Sequence, residues 1–143
     1  MTADAFFEMK DINKYYQMGE EPVHVLKDIN LTIEKGEFLS VLGPSGSGKS
    51  TLMNIIGCLD VPTSGEYVLN GTEVDTLGEK ELARIRSREI GFIFQNHQLL
   101  PRLTALKNVE LPLIYAGVSP RERKQRAKDM LARVGLADRM DHY

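Results

Sequence analysis

The sequence predicts an α/β fold in which a strand-rich, mixed region over residues 1–95 is followed by a helical region over residues 96–143. Three observations predict it. Apolar residues alternate with period two early in the chain. A short apolar run at 38–42 leads straight into a Gly-rich loop and then a helix-period stretch. Beyond residue 98 the spacing is that of helices throughout.

In order, Phe6 to Ile12 reads as a first strand, and Val23 to Ile33 as a second, with Val25, Ile29, Leu31 and Ile33 on one face. Glu34-Lys35-Gly36-Glu37 is a turn. Phe38 to Leu42 reads as a strand buried on both faces of a parallel sheet, because its apolar run is nearly unbroken. Lys49 to Leu59 is helical, with Leu52, Ile55, Ile56 and Leu59 along one face. Pro62 to Gly65 breaks the pattern. Tyr67 to Leu69, Asn70-Gly71 and Glu73-Val74 form a hairpin signal. Gly78 to Ser87 is a helix and Ile90 to Phe94 another apolar strand. Leu103 to Tyr115 is a helix that Pro112 must kink or interrupt. Ser119-Pro120-Arg121-Glu122 has the spacing of a capping box and opens a helix that stops at Gly135. Phe6, Phe7, Phe38 and Phe92 read as core.

The composition sets bounds. The 143 residues are 42% hydrophobic, enough for a core, and a net charge of −2 gives no electrostatic reason to expect a nucleic-acid partner. The basic residues between Arg121 and Arg133 share their helix with Glu122 and Asp129 and read as a solvated face. One cysteine, Cys58, excludes an internal disulfide, and its apolar surroundings predict a buried reduced thiol. His24, His97 and His142 lack metal-ligand spacing. The acidic start Met1 to Ala5 does not read as a signal peptide, and no apolar run has the length of a membrane span.

The chemistry concentrates in Gly43-Pro44-Ser45-Gly46-Ser47-Gly48-Lys49-Ser50, which matches the Walker A pattern G-x-x-x-x-G-K-[ST] between a strand and a helix, the context the motif requires. A triphosphate concentrates negative charge. The loop must approach it with backbone N–H groups, and glycines permit that approach. The helix starting near Lys49 directs its unpaired N–H groups and positive dipole end at the phosphates. Lys49 supplies a full charge to the outer phosphates. The Ser50 hydroxyl is a hard oxygen ligand for Mg2+, and the Thr51 hydroxyl can bond a phosphate oxygen. ATP with Mg2+ is the expected ligand.

The flanks narrow the class. Val25 to Leu31 leading to Lys35-Gly36-Glu37, Val41 to Leu52, Pro62 to Glu66 and Ile90 to Gln95 together resemble an ABC transporter ATP-binding subunit over essentially the whole chain. Asn54 to Asp60 and Leu103 to Leu113 resemble one subgroup, which includes the lipoprotein-release and macrolide-export ATPases. The resemblance implies a P-loop NTPase core with an N-terminal antiparallel β subdomain and the start of an α-helical subdomain. It implies that Gln95 is the Q-loop glutamine, whose amide oxygen ligates Mg2+ or orients the attacking water. It also implies that Tyr16 stacks on adenine, with Tyr15 the competing candidate. Membrane-spanning permease subunits and a second ATP-binding subunit are the implied partners, at the inner face of the cell membrane.

No segment of these 143 residues reads as a Walker B strand ending in Asp with a following catalytic Glu, and neither an LSGGQ signature nor a switch histidine is found. The resemblance is therefore to the N-terminal part of a cassette. The chain is expected to bind nucleotide with negligible hydrolysis by itself. A nucleotide-binding fragment without turnover and a soluble, non-transport ABC ATPase are the alternative readings. The transported substrate is left open, with the subgroup leaning to export or extraction.

Overall fold

The computed structural model describes residues 5–143. It divides into two compact units, one ending at Gly91 and the other covering Phe92–Tyr143.

The first unit is built on two long strands, β1 (Ala5–Met18) and β2 (Glu21–Glu34), with α1 (Lys49–Ile56), β3 (Ser64–Leu69), β4 (Thr72–Glu73) and α2 (Glu79–Arg88) following. The sheet order is β2-β1-β3-β4, and every pairing is antiparallel. Both long strands extend past the apolar alternation because irregularities absorb the register. Asp11 and Asp28 adopt positive φ, and their neighbourhoods interlock through Asp11 N–H to Asn30 Oδ1 (3.0 Å) and Asn13 Nδ2 to Asp28 Oδ1 (2.9 Å). Gly65 (φ +102°) fits against this bulge, where a Cβ would stand 2.5 Å from the Asp11 carbonyl oxygen.

One core face of the sheet (Phe7, Met9, Ile12, Tyr67, Leu69) packs with Leu52 and Ile55 of α1 and Leu82 of α2. Phe7 and Tyr67 meet with ring centroids 5.1 Å apart, and the buried Tyr67 hydroxyl donates to Ile56 O at 2.7 Å. Cys58 is buried and free, as its surroundings predicted. Burial pushes its thiol pKa up, against the opposing charge of Arg86 and a hydrogen bond with Tyr67.

The second unit pairs α3 (Ala105–Tyr115) with α4 (Pro120–Arg133), followed by a short 3-10 turn at Ala137–Arg139. Ala127 and Leu131 are its buried residues. Asn108 ties the approach to α3, donating from Nδ2 to Leu100 O, Leu103 O and Thr104 O and accepting from Leu100 N–H.

Several expectations are corrected. Residues 38–42 and 90–94 form no strand. Phe38 and Leu42 are 92% and 91% exposed and Ile93 is fully exposed, so the core role assigned to Phe38 does not hold. A strand exists only through pairing, and nothing among the described residues pairs with either run. Phe92 is half-buried and stacks on Phe94. Helix α1 stops at Ile56, capped by Gly57, which leaves Leu59 half exposed beyond it. Pro112 does not interrupt α3. Ser119 is at the N-cap of α4 with Pro120 following, but its side chain makes no capping bond, and Glu122 pairs instead with Arg126.

Candidate functional site: a phosphate-cradling loop

The loop between Leu42 and α1 keeps an open cavity of about 270 Å³, lined by Val25, Ser45, Gly46, Gly48, Lys49, Ser50 and Thr51. Its shape follows from two glycines. Gly46 (φ +77°) and Gly48 (φ +92°) sit in the left-handed region, and Gly48 serves as the N-cap of α1. A Cβ on Gly48 would lie 3.0 Å from Leu26 Cδ2 and 3.1 Å from Val25 O, so strand β2 sets how closely the loop is drawn in. The β1–β2 pairing steps from Lys14–Leu26 to Tyr15–His24, skipping Val25, and it is Val25 that lines the cavity. On Gly43 a Cβ would meet Ser47 Oγ at 2.7 Å.

The donors are arranged for an anion. The first α-helical backbone bond of α1 is Leu52 N–H to Gly48 O (2.9 Å), which leaves the N–H groups of Lys49, Ser50 and Thr51 without helical acceptors at the cavity. Lys49 Nζ donates to Gly43 O and Pro44 O, both at 2.6 Å, and to Ser47 Oγ at 3.3 Å. The ammonium is thus held inside the curl of its own loop. Among the described residues no group of three or more His, Cys, Asp or Glu side chains could hold a metal ion. A divalent ion here would rest on the Ser50 hydroxyl together with oxygens brought by the ligand. The open cradle, its free N–H groups and the hydroxyls of Ser50 and Thr51 fit a magnesium-bound polyphosphate.

Tyr16 stands at the α1 side of β1. Its hydroxyl donates to Asp60 Oδ2 at 2.6 Å, and that bond, with burial and the carboxylate's charge, raises the phenol pKa. The Thr51 hydroxyl opposes the shift. Tyr15, the competing candidate, is half exposed and stacks on His24 with centroids 4.0 Å apart. Gln95 is exposed and belongs to the second compact unit. Lys14 and Asp60 had no signal in the sequence. They lie 46 residues apart, and neither was singled out as a site residue.

A Gly-rich loop with two left-handed glycines, a lysine and a helix N-terminus open to an anion defines a P-loop nucleotide-binding domain. The chain belongs to the ABC transporter ATP-binding family: the family model described as ABC transporter matches residues 26–143. It is 57% identical over 135 residues to the uncharacterized ABC transporter ATP-binding protein YknY of Bacillus subtilis, covering 94% of this chain and 59% of that protein. It is 53% identical over 140 residues to the macrolide export ATP-binding/permease protein MacB of Bartonella quintana, covering 98% of this chain and 21% of that protein. Among solved structures it resembles the dimeric post-hydrolysis state of the ATP-binding cassette MJ0796 bound to ADP and Pi. The TM-score is 0.86 at 48% identity, covering 96% of this chain and 60% of that one. The chain thus spans about 60% of the length of the similar stand-alone relatives. Among the described residues no helix is long and apolar enough to cross a membrane.

Proposed function

We propose that this chain is the Mg-ATP-binding part of an ABC transporter subunit that couples nucleotide binding, and hydrolysis in the full cassette, to export or extraction by membrane-spanning partners. The observation that carries the proposal is the cradle itself: unpartnered N–H groups at the start of α1, Gly46 and Gly48 in the left-handed region, and Lys49 and Ser50 lining one open cavity. Residues 43–51 hold the phosphates, Ser50 is the loop's ligand to magnesium, and Tyr16 faces the base. Among the described residues, 5–95 form the nucleotide-binding core. Residues 96–143 form a partial helical subdomain, through which Gln95 reports the nucleotide to the permease. The similarity to MacB favours export, and the dimeric state of MJ0796 favours a second ATP-binding subunit as partner at the cytoplasmic membrane face.

The family's chemistry needs a base to orient the attacking water, and these 143 residues contain no apolar strand ending in paired acids. The isolated chain therefore binds without turnover. The test is ATP affinity with and without magnesium for wild type and Ser50→Ala, alongside a phosphate-release assay. Wild type gains affinity with magnesium, Ser50→Ala loses most of that gain, and phosphate release stays at background. Absence of ATP binding by wild type overturns the proposal. Release that Lys49→Ala abolishes overturns the claim of binding without turnover.

A further inference from the structure

Lys14 is the one buried charged side chain among the described residues, at 8% exposure. Its ammonium donates to Asp60 Oδ1 and to Val61 O, both at 2.7 Å, and lies 4.9 Å from the centroid of the Tyr16 ring. The second oxygen of the same carboxylate accepts from the Tyr16 hydroxyl at 2.6 Å. Asp60 is itself fixed, because its Oδ1 also accepts the Val61 N–H at 2.8 Å. One carboxylate thus grips both the end of the ring and the cation that covers one ring face. A hydroxyl anchor fixes the tilt of a phenol that would otherwise turn about its side-chain torsions, and a cation on one face leaves the opposite face for any flat ligand.

A buried ion pair is costly to assemble and contributes little net stability compared with apolar packing of the same volume. Here the lysine is buried, its carboxylate partner is half-buried, and the pair sits against the Tyr16 ring, which calls for a reason other than stability. We propose that Lys14 and Asp60 are positioning residues that set the Tyr16 ring for a nucleobase, so that the preference of this chain for ATP over bare triphosphate depends on the Asp60 carboxylate. The inference rests on the nucleotide reading above and deepens it. The phosphates are held by the loop, and the base is held by a ring whose plane is set from β1 and from the segment after α1.

The two contributions separate by ligand. The experiment is calorimetric titration of Mg-ATP and of magnesium tripolyphosphate, which has no base, into wild type, Asp60→Asn and Tyr16→Phe. Tyr16→Phe keeps the ring and the Lys14–Asp60 pair and removes only the anchor, so it remains informative if Asp60→Asn folds poorly. An aromatic contact loses roughly three- to tenfold in affinity when its geometry is released. Each variant is expected to weaken Mg-ATP by about that factor while tripolyphosphate binds within about twofold of wild type. The double variant is expected to be no weaker than the weaker single, because both changes release the same ring. Wild-type affinity for Mg-ATP in both variants overturns the inference. So does an equal loss of both ligands, which would make the pair a general support of the loop. Wild type that binds tripolyphosphate as tightly as Mg-ATP overturns the base contact and spares the phosphate reading. Wild type that binds neither ligand overturns both.

Discussion

Substituting the two left-handed glycines of the phosphate loop separates backbone strain from crowding. Gly46→Ala places a Cβ where nothing lies within 4 Å, at φ +77°. Gly48→Ala places one at φ +92°, 3.0 Å from Leu26 Cδ2 and 3.1 Å from the backbone oxygen of Val25. Holding an alanine in the left-handed region costs roughly 1–2 kcal/mol, offset by about 0.4–1 kcal/mol from a stiffer unfolded chain. Gly46→Ala should therefore lose only about 0.5–1 kcal/mol of stability. At Gly48 the leucine methyl can swing aside, but Val25 O belongs to a paired strand and must move with β2. Overpacking of that kind adds about 1–3 kcal/mol, for a total near 2–4 kcal/mol. With a urea slope of about 2 kcal/mol per molar, the unfolding midpoint should fall by about 0.3–0.5 M for Gly46→Ala and by 1 M or more for Gly48→Ala. The assay is urea unfolding followed by circular dichroism. Equal midpoints for the two variants, or Gly48→Ala at the wild-type midpoint, would refute the account of β2 as the wall that shapes the loop.

Two further outcomes follow from side chains outside the loop. Burial disfavours the Asp60 carboxylate, but its hydrogen bonds from Lys14, Tyr16 and Val61, with the Lys14 charge, outweigh that and lower its pKa. A carboxyl depressed in the folded state contributes stability that is fully present above the unfolded value of about 3.9 and is lost as pH falls through the folded value. Wild type should lose stability on acidification below about pH 4 more steeply than Asp60→Asn, and parallel urea-midpoint profiles would remove the pair from the acid response. In the second unit, Asn108→Ala deletes the bonds that join Leu100, Leu103 and Thr104 to α3. At about 1 kcal/mol for each of two or three effective bonds, it should cost roughly 2–3 kcal/mol. Unchanged thermal unfolding and unchanged amide-exchange protection near the start of α3 would contradict it.

The parts of this molecule legible in its sequence are those fixed by local chemistry. The loop announced itself because cradling phosphate demands glycines, a lysine and a hydroxyl at fixed spacing ahead of a helix, and the structure opens a cavity there. Asn70-Gly71 marked the β3–β4 turn, where both residues adopt positive φ. The failures are non-local. The runs at 38–42 and 90–94 have the composition of buried strands, yet burial is conferred by neighbours that an apolar pattern does not name: the first stands exposed, and in the second only Ile90 and Phe92 are half-buried. The extension of β1 to Met18 depends on Asp11 taking a left-handed turn inside a strand, and no alternation rule anticipates it. The capping spacing at Ser119 was correct in form, but Glu122 pairs with Arg126 one turn along the same helix. The Lys14–Asp60–Tyr16 contact joins a strand to the segment beyond α1, and only the fold brings those residues together.

The central claim is that Lys49, curled within its own loop, is the charge that receives a nucleotide's phosphates. Calorimetric titration of Mg-ATP into wild type and Lys49→Ala tests it most directly. Loss of a charge-assisted contact of about 1.5–3 kcal/mol predicts affinity weaker by roughly ten- to more than a hundredfold in the variant, with its unfolding midpoint near that of wild type. Equal affinity in the two proteins would contradict the assignment of Lys49 and the phosphate-cradle reading built on it.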